Sequence, residues 1–265
     1  MKVAQLGSGT PELAVVAGIH GDEPCGVRAV KRLLDERPTV ERPVKLVIAN
    51  EKALERQVRF VDEDLNRAFP GDPTAQTHEG ELAHRLVEEL EGCHTFSMHS
   101  TQSHAEPFAI VNGVSQTAKR IVPQLPVAAM VETSDFAEGR LFTEINTIEV
   151  ECGLQGSETA AQNADRLTRA FLTAVGALPG DTMRRDLPVF RLTDVIRKAD
   201  ADTYEVFVDN FAKVAPGDPF AAADGEKQVA QEAFYPILMS SHGYSEVFGY
   251  AAEKLEVLTS PTAAD

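Results

Sequence analysis

A histidine and a glutamate three positions apart lie where the sequence changes from a predicted strand to a predicted helix. His20 and Glu23 follow the apolar run 13–19, which predicts a buried strand, and precede the amphipathic run 27–34, which predicts a helix. A loop between such elements can turn both side chains toward one point. A catalytic zinc site needs three protein ligands and an open fourth position, so this pair could supply two of the three. The alternative is an ordinary surface turn.

A third ligand is expected from another strand end at the same edge of the sheet, because open α/β sheets bind ligands at the carboxyl ends of their strands. His99 fits this expectation, since it lies near the end of the predicted strand 94–100 and a polar loop follows it. The remaining histidines are weaker candidates by position: His78, His84, His94, His104 and His242. Cys25 is the nearest candidate for a fourth protein ligand, which a closed structural site would require.

A charged stretch between two predicted elements could bind a carboxylate. It contains Arg59, Asn66 and Arg67, and arginine grips carboxylates through two parallel hydrogen bonds. The alternative is a solvated loop in which Asp62 and Asp64 form ion pairs with its arginines.

Two acids on one predicted strand are candidates for proton transfer. Glu149 and Glu151 lie in the strand 147–152, and alternation places both side chains on the same face. A buried acid at the end of an apolar strand is costly unless it has a partner or a task. Beside an activated water it could accept a proton and later deliver it to a leaving amine. An edge strand with exposed acids is the alternative.

Composition excludes several classes of partner. The 265 residues carry a formal net charge of −16, which disfavours nucleic-acid binding. No apolar run is long enough to span a bilayer, and the first residues lack the apolar centre of a secretory signal. Three scattered cysteines fit reduced thiols. We therefore expect a cytoplasmic protein, and its acidic surface suits a high-salt cytoplasm.

The order of predicted elements indicates an α/β fold. Strands and helices alternate through the first two thirds of the chain, which predicts a layered catalytic domain over 1–183. After this the pattern changes to short strands and Pro/Gly turns, which predicts a small all-β domain over 184–265 that caps the cleft. The strands predicted there are 189–192, 204–208, 229–234 and 247–250.

Taken together, these motifs resemble the succinylglutamate desuccinylase/aspartoacylase family. The resemblance rests on His-Gly-Asp-Glu at 20–23, Asp-Leu-Asn-Arg at 64–67, His-Ser-Thr at 99–101 and Glu-Cys-Gly at 151–153. These motifs occur in the family's order and cover nearly the whole chain. The resemblance implies a zinc-carboxypeptidase-like mixed sheet flanked by helices.

The resemblance also implies roles for individual residues. His20, Glu23 and His99 would hold one Zn²⁺ per chain, Arg59 would polarise the scissile carbonyl, and Glu151 would be the general acid/base, with Glu149 as its alternative. Asn66 and Arg67 would bind the substrate carboxylate, and Tyr244, which follows a Tyr-Pro stretch at 235–236, would reach the substrate. The family's further arginine has its nearest counterpart in Arg140, and Ser-Ser-His-Gly at 240–243 replaces the family's Asn-Glu stretch.

The function predicted is zinc-dependent hydrolysis of the amide bond in a small anionic N-acyl amino acid. Two alternatives remain at this point. One is a metallocarboxypeptidase acting on short peptides, and the other is a non-catalytic protein that binds zinc or a small molecule. The sequence leaves the acyl group, the amino acid and a possible homo-oligomer open.

Overall fold

A ten-stranded mixed sheet crosses the protein, and helices cover both of its faces. The computed structural model describes residues 1–133, 136 and 139–259. Neighbouring strands follow the order β1-β3-β2-β4-β7-β5-β6-β8-β13-β12. The bounds of these strands are β1 Lys2–Leu6, β2 Leu13–Ala17, β3 Val44–Ile48, β4 His94–Thr101, β5 Phe108–Val111, β6 Met130–Glu132, β7 Thr147–Leu154, β8 Leu187–Arg197, β12 Tyr235–Ile237 and β13 Val247–Leu258.

Parallel pairing in the centre of the sheet brings several strand ends to one edge. β2 pairs in parallel with both β3 and β4, and β4 pairs in parallel with β7. Every residue of β2 is buried, as expected of a parallel strand covered on both faces. Its alternate side chains enter two different hydrophobic cores. The carboxyl ends of β2, β4 and β7 therefore lie together at one edge of a sheet that is buried on both sides.

Helices pack on both faces of this sheet. α1 and α7 pack against each other, and both contact β4. On the other face, the apolar side of α4 shares a core with the remaining side chains of β2. No helix in the described part of the chain is both long and apolar enough to cross a bilayer. The helices are α1 Cys25–Glu36, α2 Glu51–Arg56, α3 Leu65–Ala68, α4 His78–Leu90, α5 Gln116–Ile121, α6 Leu141–Glu144 and α7 Glu158–Ala174, with a 3₁₀ turn at Val122–Gln124.

The C-terminal part contributes strands to two sheets. β8 pairs in parallel with β6, and β13 and β12 extend the large sheet beyond it. A separate three-stranded antiparallel sheet consists of β9 Tyr204–Val206, β10 Pro219–Ala223 and β11 Glu226–Val229. The large sheet thus crosses residue 184, and the division of the chain into two domains there stays a prediction.

One strand of the C-terminal part was predicted wrongly from the sequence. A strand was predicted over 229–234, but β11 ends at Val229, and Phe234 makes an isolated bridge with Val214. The Asp224–Gly225 turn sets this register, because it joins β10 to β11 in a hairpin. β11 begins with the polar residues Glu226, Lys227 and Gln228, which gave no apolar signal.

Candidate metal and active site

A cavity of about 430 Å³ lies beside the carboxyl ends of β2, β4 and β7. All nine residues that the sequence singled out for the site line it, although they come from widely separated segments. They are His20, Glu23, Arg59, Asn66, Arg67, His99, Arg140, Glu151 and Tyr244. The fold therefore brings the predicted set together, while the role of each residue stays a prediction.

The loop after β2 is held against α2 by close backbone packing. A Cβ atom added to Gly21 would lie 2.1 Å from the carbonyl carbon of Ala53, so no side chain fits at this position. The Gly21 amide also donates to the carbonyl oxygen of Arg59 at 3.2 Å. Gly18 starts the turn with a φ of +69°, a conformation that glycine adopts without steric cost. These contacts fix the position of the loop that carries His20 and Glu23.

Both imidazoles at the base of the cavity turn the same ring atom toward one carboxylate. Nδ1 of His20 lies 2.7 Å from Oε1 of Glu23, and Nδ1 of His99 lies 3.2 Å from Oε2 of Glu23. The ligand atoms of the three residues lie within 4.8 Å of one another, and all three side chains are buried. Two imidazoles and a carboxylate are the donor set of many catalytic zinc sites.

The opposite nitrogens of the two imidazoles each face a second carboxylate. Nε2 of His20 lies 3.1 Å from Oδ1 of Asp64, and Nε2 of His99 lies 2.8 Å from Oε1 of Glu149. When Nε2 carries the proton and donates it, Nδ1 is left with a lone pair directed at Glu23. Carboxylate partners of this kind orient histidine ligands and strengthen their basicity. His20, Glu23 and His99 therefore fit a divalent metal by both their chemistry and their orientation.

The register of β4 and β7 places four polar side chains on one face of the sheet. Ser97 pairs with Glu149, and His99 pairs with Glu151. Since alternate residues of a strand point to the same side, all four face the cavity side together. The contact between His99 and Glu149 is thus a diagonal one between neighbouring strands, and the same register places Glu151 beside the candidate metal-ligand triad.

The two acids of β7 have different electrostatic environments. Burial by itself raises the pKa of Glu149, but the contacts with His99, Arg140 and Asn66 lower it by more. The pKa of this carboxyl therefore lies below its usual value. Burial and the neighbouring charge of Glu23 instead raise the pKa of Glu151 to about 8. Oε2 of Glu151 has no hydrogen-bond partner among the described residues. The pKa values of the two acids are thus shifted in opposite directions.

Arg59 and Asp64 form an ion pair at the wall of the cavity. Nη2 of Arg59 lies 2.9 Å from Oδ2 of Asp64, and Nη1 lies 3.3 Å from Oε1 of Glu23. The guanidinium also lies 5.9 Å from the centre of the Tyr244 ring. Arg59 consequently places a fixed positive charge next to the metal-ligand carboxylate. The ion pair that sequence alone offered as an alternative exists, and it is part of the cavity wall.

Asn66 and Arg67, the predicted carboxylate-binding residues, differ in how many of their hydrogen-bonding groups already have partners. Asp64 caps α3 by accepting from the Asn66 amide at 2.9 Å, which sets Asn66 and Arg67 on the first turn. The Asn66 side chain donates to Glu149 at 2.9 Å and accepts from the Leu141 amide at 3.2 Å. These two bonds leave the second hydrogen of Nδ2 available to donate to a substrate carboxylate. Arg67 is exposed at the cavity, and among the described residues its side chain has one recorded hydrogen bond, in which Nη1 donates to the Asn66 carbonyl oxygen at 2.7 Å.

Comparison with known proteins identifies the family of this chain. A sequence profile of the succinylglutamate desuccinylase/aspartoacylase catalytic domain matches residues 9–175, which is more than half of the chain. The chain belongs to the succinylglutamate desuccinylase/aspartoacylase family. The matched range holds every predicted site residue except Tyr244, so it includes the three candidate metal ligands and both acids of β7.

Individual members of this family match over shorter stretches. A probable aspartoacylase of Prochlorococcus marinus is 33% identical over 81 residues, which is 30% of this chain and 28% of that protein. A succinylglutamate desuccinylase of Vibrio cholerae is 30% identical over 88 residues, which is 31% of this chain and 25% of that protein. The matched segments thus span only about a quarter of these relatives.

Structural similarity extends over nearly the whole fold. A succinylglutamate desuccinylase/aspartoacylase from Rhodobacter sphaeroides superposes with a TM-score of 0.77 at 17% identity, covering 96% of this chain and 89% of the other. At this identity the likeness establishes the shared fold. The α/β fold predicted from the sequence, with a mixed sheet flanked by helices and a C-terminal antiparallel sheet, is thereby confirmed.

The contacts of three acids were not predicted from the sequence. Asp64 contacts His20 across 44 positions of sequence, and only the folded loop reveals this contact. Glu149 was noticed as a possible acid/base, but not as the partner of His99. Glu79, described below, resembled any acid in the first turn of a helix. Alternation along the strand was the one signal that could have pointed to Glu149.

Proposed function

We propose that this protein is a zinc-dependent deacylase that hydrolyses the amide bond of an N-acyl amino acid. The single observation that carries the proposal is the convergence of His20, Glu23 and His99 beside Glu151 in one cavity. Membership of a family named for two deacylases supports the reaction class. The three residues would hold one zinc ion per chain. Zinc bound there would supply Lewis-acid polarisation of the carbonyl and a more acidic water.

Glu151 would act as the general base and then as the general acid. Its carboxylate accepts the proton that the attacking water loses, and it returns that proton to the nitrogen of the departing amine. A pKa of about 8 suits a group that must both accept and donate near neutral pH. Its neighbour Glu149 is already committed to His99 and Asn66. We therefore assign the proton transfers to Glu151 and not to Glu149.

The arginines would stabilise and orient the substrate. Arg59 lies beside Glu23 and can donate an N–H to the oxygen that gains negative charge as the carbonyl is attacked. Arg67 can hold the substrate carboxylate with two parallel hydrogen bonds, aided by the buried charge of Arg140 and the Asn66 amide. Tyr244, from the loop before β13, narrows the opening of the cavity. Fixing the carboxylate in this way converts binding energy into orientation of the scissile amide.

The test is release of amine from a panel of N-acyl amino acids, measured with and without a chelator. The panel includes acetyl-aspartate, succinyl-glutamate, acetyl-diaminobutyrate and an unmodified dipeptide, and metal content is determined by mass spectrometry. We expect about one zinc per chain and turnover that chelation removes and zinc restores. Cleavage of the dipeptide alone would indicate a carboxypeptidase. Zinc without turnover of any substrate would indicate a binding protein and refute the proposal.

A further inference from the structure

A fully buried carboxylate lies outside the cavity, at the start of α4. Glu79 has no exposed surface, and it accepts hydrogen bonds from four groups. Oε1 accepts from the Val61 amide at 2.7 Å and from Nδ2 of Asn50 at 2.9 Å. Oε2 accepts from the amides of Asp62 at 3.0 Å and Glu63 at 3.4 Å. Placing an ionised carboxylate here is tolerated because these donors replace the lost hydration.

One set of these bonds anchors the segment that leads into Asp64. The amides of 61–63 all point at Glu79, so the turn between Arg59 and Asp64 is fixed to the start of α4. The Asp62 carboxylate adds a second link, since it accepts from the His78 amide at 2.7 Å. Asp64 then contacts Nε2 of His20 and the guanidinium of Arg59. The positions of Asp64 and Arg59, which contact the loop that carries His20 and Glu23, therefore depend on this turn.

The bond to Asn50 anchors the other side of the same loop. Oδ1 of Asn50 accepts from the Ala53 amide at 3.2 Å and so caps α2, while its Nδ2 donates to Glu79. The backbone of α2 at Ala53 is the surface against which Gly21 packs without room for a side chain. One carboxylate thus connects the two supports of the His20–Glu23 loop, namely α2 on one side and the turn 61–63 on the other.

We infer that Glu79 is a positioning residue of the metal site. It touches neither ligand nor substrate, and it acts through Asp64 and α2 by fixing the loop that carries His20 and Glu23. The inference rests on the proposed function for its metal, but its geometric part can be measured without one. Partners of metal ligands typically change metal affinity by about 10- to 100-fold when they are lost, and we expect about tenfold for this more distant residue.

The decisive variant is Glu79→Gln, with Glu81→Gln as its matched control. Both acids lie in the first turn of α4, so each variant removes one charge from the same helix end, but Glu81 is exposed. Zinc affinity is measured by competition with a chromogenic chelator, and the Co²⁺-substituted proteins are compared by visible absorption. We expect Glu79→Gln to bind zinc about tenfold more weakly and to change the cobalt spectrum, and Glu81→Gln to match the wild type.

Hydrogen exchange measured by NMR tests the anchoring directly. In the wild type without added metal, the amides of 61–63 should exchange at least about 100-fold more slowly than in an unstructured chain. In Glu79→Gln, they should lose most of this protection while the amides of β2 keep theirs. Glu79→Asp retains the charge but is one methylene shorter, so its loss of zinc affinity and of protection should be intermediate. It serves as the test variant if Glu79→Gln does not fold.

The outcomes separate this inference from the proposed function. A lower melting temperature in Glu79→Gln with unchanged zinc affinity and cobalt spectrum would show a purely structural role and overturn the inference. Rapid exchange of the amides of 61–63 in the wild type would overturn it as well. Failure of the wild type to bind zinc would instead refute the proposed function, and the exchange measurement would still decide whether Glu79 anchors the turn.

Discussion

Oε1 of Glu149 lies 2.8 Å from Nε2 of His99, although the two residues are 50 positions apart and belong to different strands. The contact gives the two acids of β7 different tasks. Oε1 of Glu149 contacts both His99 and Asn66, whereas Glu151, two residues further along the same face, has no recorded hydrogen bond among the described residues, and one oxygen of each carboxylate is buried without a partner there. Under the proposed function, the same strand would supply both an orienting carboxylate and a proton-transfer group.

Replacing Glu149 should weaken metal binding. In Glu149→Gln the amide oxygen can still accept from Nε2 of His99, but the negative charge that strengthens this hydrogen bond and the basicity of the imidazole is lost. We expect zinc affinity to fall by about 10- to 100-fold. Competition with a chromogenic chelator measures this. Glu151→Gln is the matched control, because it removes a carboxylate two residues away on the same face of the same strand and should keep wild-type affinity. Equal affinities in the two variants would remove the distinction between the acids.

Replacing Glu151 should remove turnover while zinc stays bound. Loss of a general acid/base typically costs about 10²- to 10⁴-fold in rate. We therefore expect Glu151→Gln to lower kcat by at least 100-fold on whichever substrate the panel identifies. Metal content measured on the same sample provides the control. Full activity in this variant would transfer the proton-transfer role to another group.

Stability as a function of pH should distinguish the same two acids in metal-free protein. The folded pKa of Glu151, about 8, lies above its ordinary value of 4.5, so folding favours the protonated form. Stability is therefore lost as the pH rises from about 4.5 to 8, at up to about 1.4 kcal/mol per unit. Glu151→Gln should be more stable than the wild type at pH 8, and the gain should shrink toward pH 4.5.

Glu149→Gln is the control for that experiment, and its change in stability should have the opposite sign. The pKa of Glu149 lies below its ordinary value because His99 and Arg140 outweigh the effect of burial, so its ionised form stabilises the fold above pH 4.5. Glu149→Gln should consequently be less stable than the wild type at neutral pH. Thermal unfolding between pH 5 and 8 gives both answers. Parallel shifts of the two variants would contradict the assignment of different environments.

Shortening the reach of Arg67 should affect substrate binding more than chemistry. Lysine keeps the charge in Arg67→Lys but cannot form two parallel hydrogen bonds with a carboxylate. We expect KM to rise by about 10- to 100-fold with a much smaller change in kcat. Steady-state kinetics on the preferred substrate measures both. The control is Arg28→Lys, which alters an exposed ion pair of α1 and should leave KM and kcat unchanged.

Adding one methyl group to Gly21 should destabilise the protein. The added Cβ of Gly21→Ala would overlap the backbone of α2, 2.1 Å from the Ala53 carbonyl carbon. Overpacking of this kind costs about 1–3 kcal/mol and lowers the melting temperature by about 2–10 °C. The control is Gly243→Ala, since the nearest atom to its added Cβ is an ordinary contact at 3.6 Å. An unchanged melting temperature in Gly21→Ala would show that the loop can move away from α2.

The sequence by itself determined the central elements and the residues that meet in the cavity. The apolar run 13–19 located β2 to within two residues, because a parallel strand covered on both faces is largely apolar, and the predicted strand 94–100 located β4 to within one residue. Ser157 is of a residue type that commonly caps helices, and its hydroxyl accepts from the Ala160 amide at the start of α7. His20, Glu23 and His99 were found because their residue types and strand-end positions limit the chemistry available to them.

Tertiary structure alone decided the contacts between distant segments. The register of β4 against β7 made Glu149 the partner of His99, and the folded turn at 61–63 placed Asp64 against His20. Pairing of β8 with β6 extended the large sheet into the C-terminal part, which local patterns described only as short strands. Hydrophobic periodicity records which face of an element is buried, but it does not record which element covers that face. The partners of buried charges therefore became visible only in the assembled fold.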